Sequence, residues 1–227
     1  MKLVFFDDYK LGVLNKEETR VIDMTLTLEE LPHVGPGDYV CRLIEKWSGY
    51  KSRLQTAMLD MPGIPIEDVQ LRAPIPKPGK ILCMAANYLE NGTLKEARPI
   101  NGFLKNPSAV IGDGDTIEIP PEDADIFHHE AELGLVIGKK ARNISEDEAY
   151  NYVFGYTNFI DVSARGLGPK GSDVFLQSKS YHTFAPMGPY LVTADEVPNP
   201  QDTNVKLWVN GGLNQDYSTS DMGHSIP

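Results

Sequence analysis

The stretch IFHHEAELGLVIGKKARNISEDEAYNYVFGYTNFIDVSAR, residues 126–165, decides how this 227-residue chain is organised. Glu130 and Glu132 stand two apart at the head of the apolar run Leu133, Leu135, Val136 and Ile137. Side chains on a strand repeat every second residue, so both carboxylates leave one face, roughly 7 Å apart along the strand. Two carboxylates that close, beside an apolar run, repel each other and lose hydration. A basic partner or a cation must neutralise them.

Tyr152 to Ile160 reads as a second strand, and it ends at a third acid, Asp161. Between the two runs, Ser145 and Glu148 have capping-box spacing, and Ala149, Tyr152 and Val153 supply the apolar side of a helix. A strand–helix–strand unit of this length can return Asp161 to the side of Glu130 and Glu132. Three carboxylates are the hard oxygen donors that Mg2+, Mn2+ or Ca2+ prefers; the competing reading is an acidic edge facing solvent. His128 shares the strand face of Glu130, as a ligand, an acid–base group or a plain hydrogen-bonded histidine, and His129 points the other way.

Working outward, the length suits one substantial core, or a core with a small appended domain. A hydrophobic content of 41% and a charged content of 23% are those of an ordinary globular protein. The net charge of −11, with no basic stripe, argues against nucleic acid as a partner. It also means that an anionic substrate needs a cation or lysines inside the site. Cys41 and Cys83 are isolated from each other and from any CxxC, which fits a reducing cytoplasm. The apolar run in MKLVFFDDYK is too short for a signal peptide, and no segment reaches the length of a membrane span. The sequons at Asn91 and Asn143 are then chance matches. No internal repeat or low-complexity tract is visible.

Residues 2–6 and 20–24 read as short strands separated by the turn-like Asn15–Glu18. Val40, Leu43, Ile44, Trp47, Leu54 and Met58 recur at a helical period, which predicts one amphipathic helix from about 39 to 58 packed on that small sheet. Ala73 to Gly79, APIPKPG, reads as a link into the main domain. A buried strand from Ile81 to Ala85 opens that domain. Asp113-Gly114-Asp115 is a turn before a short strand from Ile117 to Ile119. Val205, Leu207 and Val209 alternate with polar residues, and Asn210-Gly211-Gly212 turns the chain into Leu213–Tyr217; this is the clearest hairpin signal.

Three separated motifs in order, Glu130-Ala-Glu-Leu-Gly-Leu-Val-Ile-Gly, Asp161-Val-Ser-Ala-Arg and Lys179-Ser-Tyr-His-Thr-Phe-Ala-Pro-Met-Gly-Pro, resemble the fumarylacetoacetate hydrolase superfamily from about Lys80 onward. The resemblance implies an α+β protein: a mixed β-sandwich roll with the metal site at its mouth, preceded by a small N-terminal α+β domain. The boundaries that follow are 1–72 for the small domain, 73–79 for the proline-rich linker and 80–227 for the catalytic domain. It implies that Glu130, Glu132 and Asp161 hold Mg2+ or Mn2+, with Ca2+ an alternative, and that Lys179 lies beside the metal and the reacting carbon. Lys105, in a segment similar to the family's F-x-K-P-S-A, is a candidate for reaching an anionic substrate, against the plain reading of a surface lysine.

The chain also departs from the family pattern. Where many members read NYxxHxxE on a mobile lid that activates water, the His position holds Asn91 and the Glu position Leu94. Glu90 is the substitute base carried forward, with Glu96 behind it. Gly166 and Gly168 stand where relatives carry Asp and Gln, His182 where they carry Asp or Gly, and Arg165 reads as a structural partner for nearby carboxylates. Relatives also continue past the equivalent of Pro227, so the chain reads as a fragment. The function implied is a metal-dependent hydrolase cleaving a carbon–carbon bond in a small acylpyruvate-like 2-oxo or 1,3-dioxo acid. The alternatives are an isomerase, hydratase or decarboxylase working through the same enolate, and a non-catalytic relative. A homodimer without nucleic-acid or membrane partners is implied by the resemblance alone.

Overall fold

The computed structural model describes residues 1–167 and 175–227. Its framework is a nine-stranded sheet whose main path runs β4-β3-β2-β1-β11-β10-β9. These strands are β1 (Lys2–Phe6), β2 (Lys10–Leu14), β3 (Arg20–Asp23), β4 (Ile64–Pro65), β9 (Ile126–Ile137), β10 (Val153–Arg165) and β11 (Ala185–Thr193). Two short strands join off the path: β5 (Leu71–Arg72) on β1 and β8 (Val110–Ile111) on β11. Two separate ribbons complete the β structure, β6 (Ile81–Met84) with β7 (Gly102–Lys105), and β12 (Asn204–Val209) with β13 (Gly212–Ser218). Among the described residues the α-helices are α1 (Pro36–Glu45), α2 (Trp47–Asp60) and the short α3 (Phe175–Lys179). The architecture is the mixed α+β one expected. Among the described residues no helix is long and apolar enough to cross a membrane.

β1 pairs antiparallel with β11, Leu3 opposite Leu191, so the N-terminal segment and the chain beyond the proline-rich stretch share one sheet. They share a core too, in which Leu3, Phe5, Leu28, Val40, Leu43 and Leu54 pack with Phe159, Ala185 and Leu191. Ala73 and Ile75 of the proline-rich stretch are buried in that core as well.

Several local expectations are corrected. The periodicity predicted a single helix over 39–58, but α1 and α2 meet at Lys46, whose φ of −107° and ψ of 16° leave the helical track. Ser48 and Gly49, poor helix formers, follow immediately, while the apolar stripe carries on as Tyr39, Val40 and Leu43, then Tyr50, Leu54 and Ala57. The capping box at Ser145 does not form, because the Ser145 hydroxyl donates to Glu148 Oε2 (3.0 Å) instead of accepting a backbone N–H; Glu146–Tyr152 winds as a 3-10 helix. Residues 117–119 join no ladder, since Glu118 N–H donates to the Thr183 hydroxyl (2.8 Å). β6 is not buried throughout: Cys83 and Ile81 face inward, whereas Leu82 and Met84 are exposed on the open side of a two-stranded ribbon. β2 escaped the sequence reading because Gly12 sits at its centre and weakens the strand signal. The β12–β13 hairpin is as expected, with Asn210 (φ 52°) and Gly211 (φ 79°) forming the tight turn.

Candidate metal centre

β9 and β10 lie antiparallel in a register that puts Asp161 directly opposite Glu130, and Phe159 opposite Glu132. Cross-strand neighbours on one face stand about 5 Å apart at Cβ. One carboxylate oxygen from each of Glu130, Glu132 and Asp161 therefore comes within 4.8 Å of the other two. β10 is covered on both faces. Val162 and Ala164 pack with Phe184 on one side, and Phe159 belongs to the main core on the other, which leaves Asp161 only 1% exposed.

A buried carboxylate must be neutralised, and two of the three are. Lys105 Nζ donates to Asp161 Oδ1 (2.5 Å) and to the Val162 carbonyl (3.0 Å). Lys179 Nζ bridges Glu130 Oε2 (2.9 Å) and Asp161 Oδ2. Arg165 Nη2 donates to Glu130 Oε1 (2.5 Å), the carboxylate pairing expected for it. Burial alone would raise the Glu130 pKa; the Lys179 hydrogen bond, with the charges of Lys179 and Arg165, holds it below the usual carboxylate range instead. Burial pulls Lys105 below its ordinary value, against the pull of Asp161. Lys105 is fully enclosed, so the plain reading of a surface lysine is corrected.

Glu132 differs. Among the described residues its carboxylate has no hydrogen-bond partner. Burial, then the negative charges of Asp161 and Glu130, push its pKa up to about 8. Two lysine-bound acids beside one uncompensated acid, all offering hard oxygen donors, fit a divalent cation. Glu130, Glu132 and Asp161 are the residues that would hold it.

The other candidates are placed as follows. His128 Nδ1 lies 3.9 Å from Glu130 Oε1 and 3.4 Å from Arg165 Nε, on the solvent side of the trio. Glu90 is exposed and faces Arg98 at 3.5 Å, apart from the trio. The lid-like segment around Asn91 is pinned to the chain's last residues. Asn87 exchanges hydrogen bonds with His224 (3.0 Å each way), Leu89 N–H donates to the Asp221 carbonyl (2.9 Å), and Asn91 N–H to the Asp221 carboxylate (2.9 Å). His182 is exposed and pairs with Glu118 (3.4 Å). Gly166 has a φ of +81°, a conformation that strains an L side chain, and a Cβ there would require the exposed Asp125 carboxylate to move aside. Gly168, Pro169, Lys170 and Gly171 lie outside the described residues.

Sequence reasoning missed four groups that build the site. Gln215 Oε1 accepts from Ala131 N–H (2.8 Å), and the Tyr217 hydroxyl donates to the Ala131 carbonyl (2.5 Å). The hairpin thus clamps β9 between its two glutamates. Cys83 and Phe103, paired across β6 and β7, face the lysines from behind. Burial, followed by the charges of Glu132 and Asp161, pushes the Cys83 thiol up to about 12, so it is an inert filler. The alternation of β13 after the hairpin turn was the one available signal for Gln215 and Tyr217.

Residues 80–227 match the family described as the C-terminal part of fumarylacetoacetate (FAA) hydrolase. Over 238 residues the chain is 33% identical to maleylpyruvate hydrolase of Aquipseudomonas alcaligenes, covering 98% of this chain and 80% of that protein. It is 34% identical over 236 residues to oxaloacetate tautomerase YisK of Bacillus subtilis, covering 99% and 76% respectively. In three dimensions it is similar to the maleylpyruvate hydrolase of Sphingobium sp. SYK-6, crystallised with manganese(II) and pyruvate. The TM-score is 0.87 and the identity 33%, over 100% of this chain and 80% of that one.

Proposed function

The chain belongs to the fumarylacetoacetate hydrolase family, and from that premise we propose that it is a divalent-cation-dependent enzyme cleaving a carbon–carbon bond in a small acylpyruvate-like 2-oxo or 1,3-dioxo acid. The observation that carries this reading is the convergence of three carboxylates within 4.8 Å with two enclosed lysines bonded to them. Mg2+ or Mn2+ held by Glu130, Glu132 and Asp161 would supply Lewis acidity toward the substrate's oxo and carboxylate oxygens. Lys179 has three N–H donors, and two are spent on Glu130 and Asp161, which leaves one for an oxygen of the substrate. Negative charge grows on that oxygen as the bond to the distal acyl carbon breaks, and an enclosed ammonium stabilises it. Lys105 fixes the Asp161 carboxylate in place, and Lys179, with Arg165 behind it, keeps Glu130 ionised.

One observation favours a second reading, enol–keto or double-bond isomerisation. Asn91 replaces the lid histidine, and Glu90 is turned to Arg98, so no acid–base pair for activating water is assembled on that segment. Isomerisation needs only proton transfer at the enolate. A panel of acylpyruvates, oxaloacetate and unsaturated 2-oxo diacids, with Mn2+ or Mg2+ and products read by NMR, decides between the two. Two acid products from one substrate support hydrolysis; a tautomer or shifted double bond without cleavage supports isomerisation. No turnover at full Mn2+ occupancy overturns both. Free Cys41 and Cys83 accord with a reducing cytoplasm, and a homodimer, expected from the family resemblance, is tested by light scattering on the purified protein.

A further inference from the structure

We propose that Phe103 is the positioning residue for the Lys179 ammonium, a role that rests on the reading of the carboxylate trio given above. Phe103 and Lys105 are two apart on β7 and share its inward face. The Lys179 Nζ stands over the Phe103 ring, 4.7 Å from its centroid. Phe175, one helical turn before Lys179 on α3, stacks on the same ring at 5.3 Å with an interplanar angle of 9°. α3 has five residues, far too few to be stable alone, so its place depends on what it touches. Phe103 therefore meets both ends of α3, through the ring of Phe175 and the ammonium of Lys179.

The chemistry of that contact is specific. A ring face attracts an ammonium through its quadrupole and takes up none of its N–H donors. Together with the hydrogen bonds to Glu130 and Asp161, it fixes where the ammonium sits and which way its remaining N–H points. With an aliphatic residue at 103 that contact is lost, and Lys179 is held only by the carboxylates that a dication shares, so it competes with the cation for them more strongly. Shape alone does not do this. A tyrosine at 103 keeps the face, whereas leucine keeps only apolar bulk.

The test uses the whole chain, first free of metal. In protein labelled with 13C at the lysine ε-carbon, the Lys179 signal is assigned by its loss in Lys179→Arg. It is expected to be displaced upfield by the ring, to stay displaced in Phe103→Tyr and to return to the common lysine position in Phe103→Leu. Calorimetric titration with Mn2+ is expected to show binding weakened about tenfold in Phe103→Leu and within about twofold of the parent in Phe103→Tyr, the scale of a desolvated cation–π contact. An undisplaced Lys179 signal in the parent protein overturns the proposal, as does equal behaviour of the leucine and tyrosine variants. Failure of the parent protein to bind Mn2+ overturns the function reading, while the lysine signal, read without metal, still decides this one.

Discussion

Glu132 is the acid in the trio whose charge the protein leaves open, and its titration follows from that. The unfolded chain releases the proton near 4.5, and the folded metal-free protein holds it to about 8. The folded state thus binds the proton more tightly, so stability of the metal-free protein falls as pH rises through that window and levels off above it. Thermal melts in EDTA from pH 5 to 9 should show this decline, and Glu132→Gln should flatten it. The cation must displace the same proton, so apparent Mn2+ affinity by titration calorimetry is expected to rise about tenfold per pH unit up to about pH 8. Lys179 gives the opposing case. Lys179→Met removes a like charge from beside the cation and is expected to tighten Mn2+ binding while lowering kcat by about 10²–10³, as loss of a charge-stabilising donor does. The spacing of Glu130, Glu132 and Asp161 made the ligands legible in the sequence. Lys105 was legible only through its motif, because nothing local distinguishes a fully enclosed lysine from a surface one.

At the level of elements, the site depends on the register of β9, β10 and β11, and Gly155 guards it. A Cβ on Gly155 would lie 2.1 Å from the Val192 carbonyl across the β10–β11 ladder. Gly155→Ala is expected to destabilise the protein by about 1–3 kcal/mol, read as a lowered denaturant midpoint, with Mn2+ affinity falling as the strand shifts. The apolar runs of β9 and β10 could be read from sequence, although β10 continues to Arg165, past Asp161 where the reading ended it. The helix between them could not, because whether Ser145 caps a helix or bonds to Glu148 is decided by a rotamer choice that spacing does not encode. The clamp of Gln215 and Tyr217 on Ala131 was hidden for another reason: it joins residues 84 and 86 positions apart, and no local pattern reports such a meeting.

Taken whole, the molecule joins its first strand to a late one, which gives a test of how its parts are coupled. The chain has two tryptophans, Trp47 on α2 and Trp208 on β12. Because both parts share a sheet and a core, the fluorescence transitions of Trp47→Phe and Trp208→Phe are expected to coincide in denaturant; separated midpoints would show that residues 1–72 unfold on their own. The proline-rich stretch reads as a link into the main domain, and composition reports its turns but not its burial; Ala73 and Ile75 lie inside the core.

The bond between Met1 and Thr193 spans 192 positions. During synthesis on the ribosome, then, β1 emerges well before β11, and the edge that pairs with β11 stays open until the intervening chain has followed. An open apolar edge is a template for wrong pairing. Non-local closure of this kind is slow, and slow closure lengthens the exposure. Yield in the cell should therefore respond to translation speed and to chaperones that hold nascent strands, more than to changes in the stability of the finished protein.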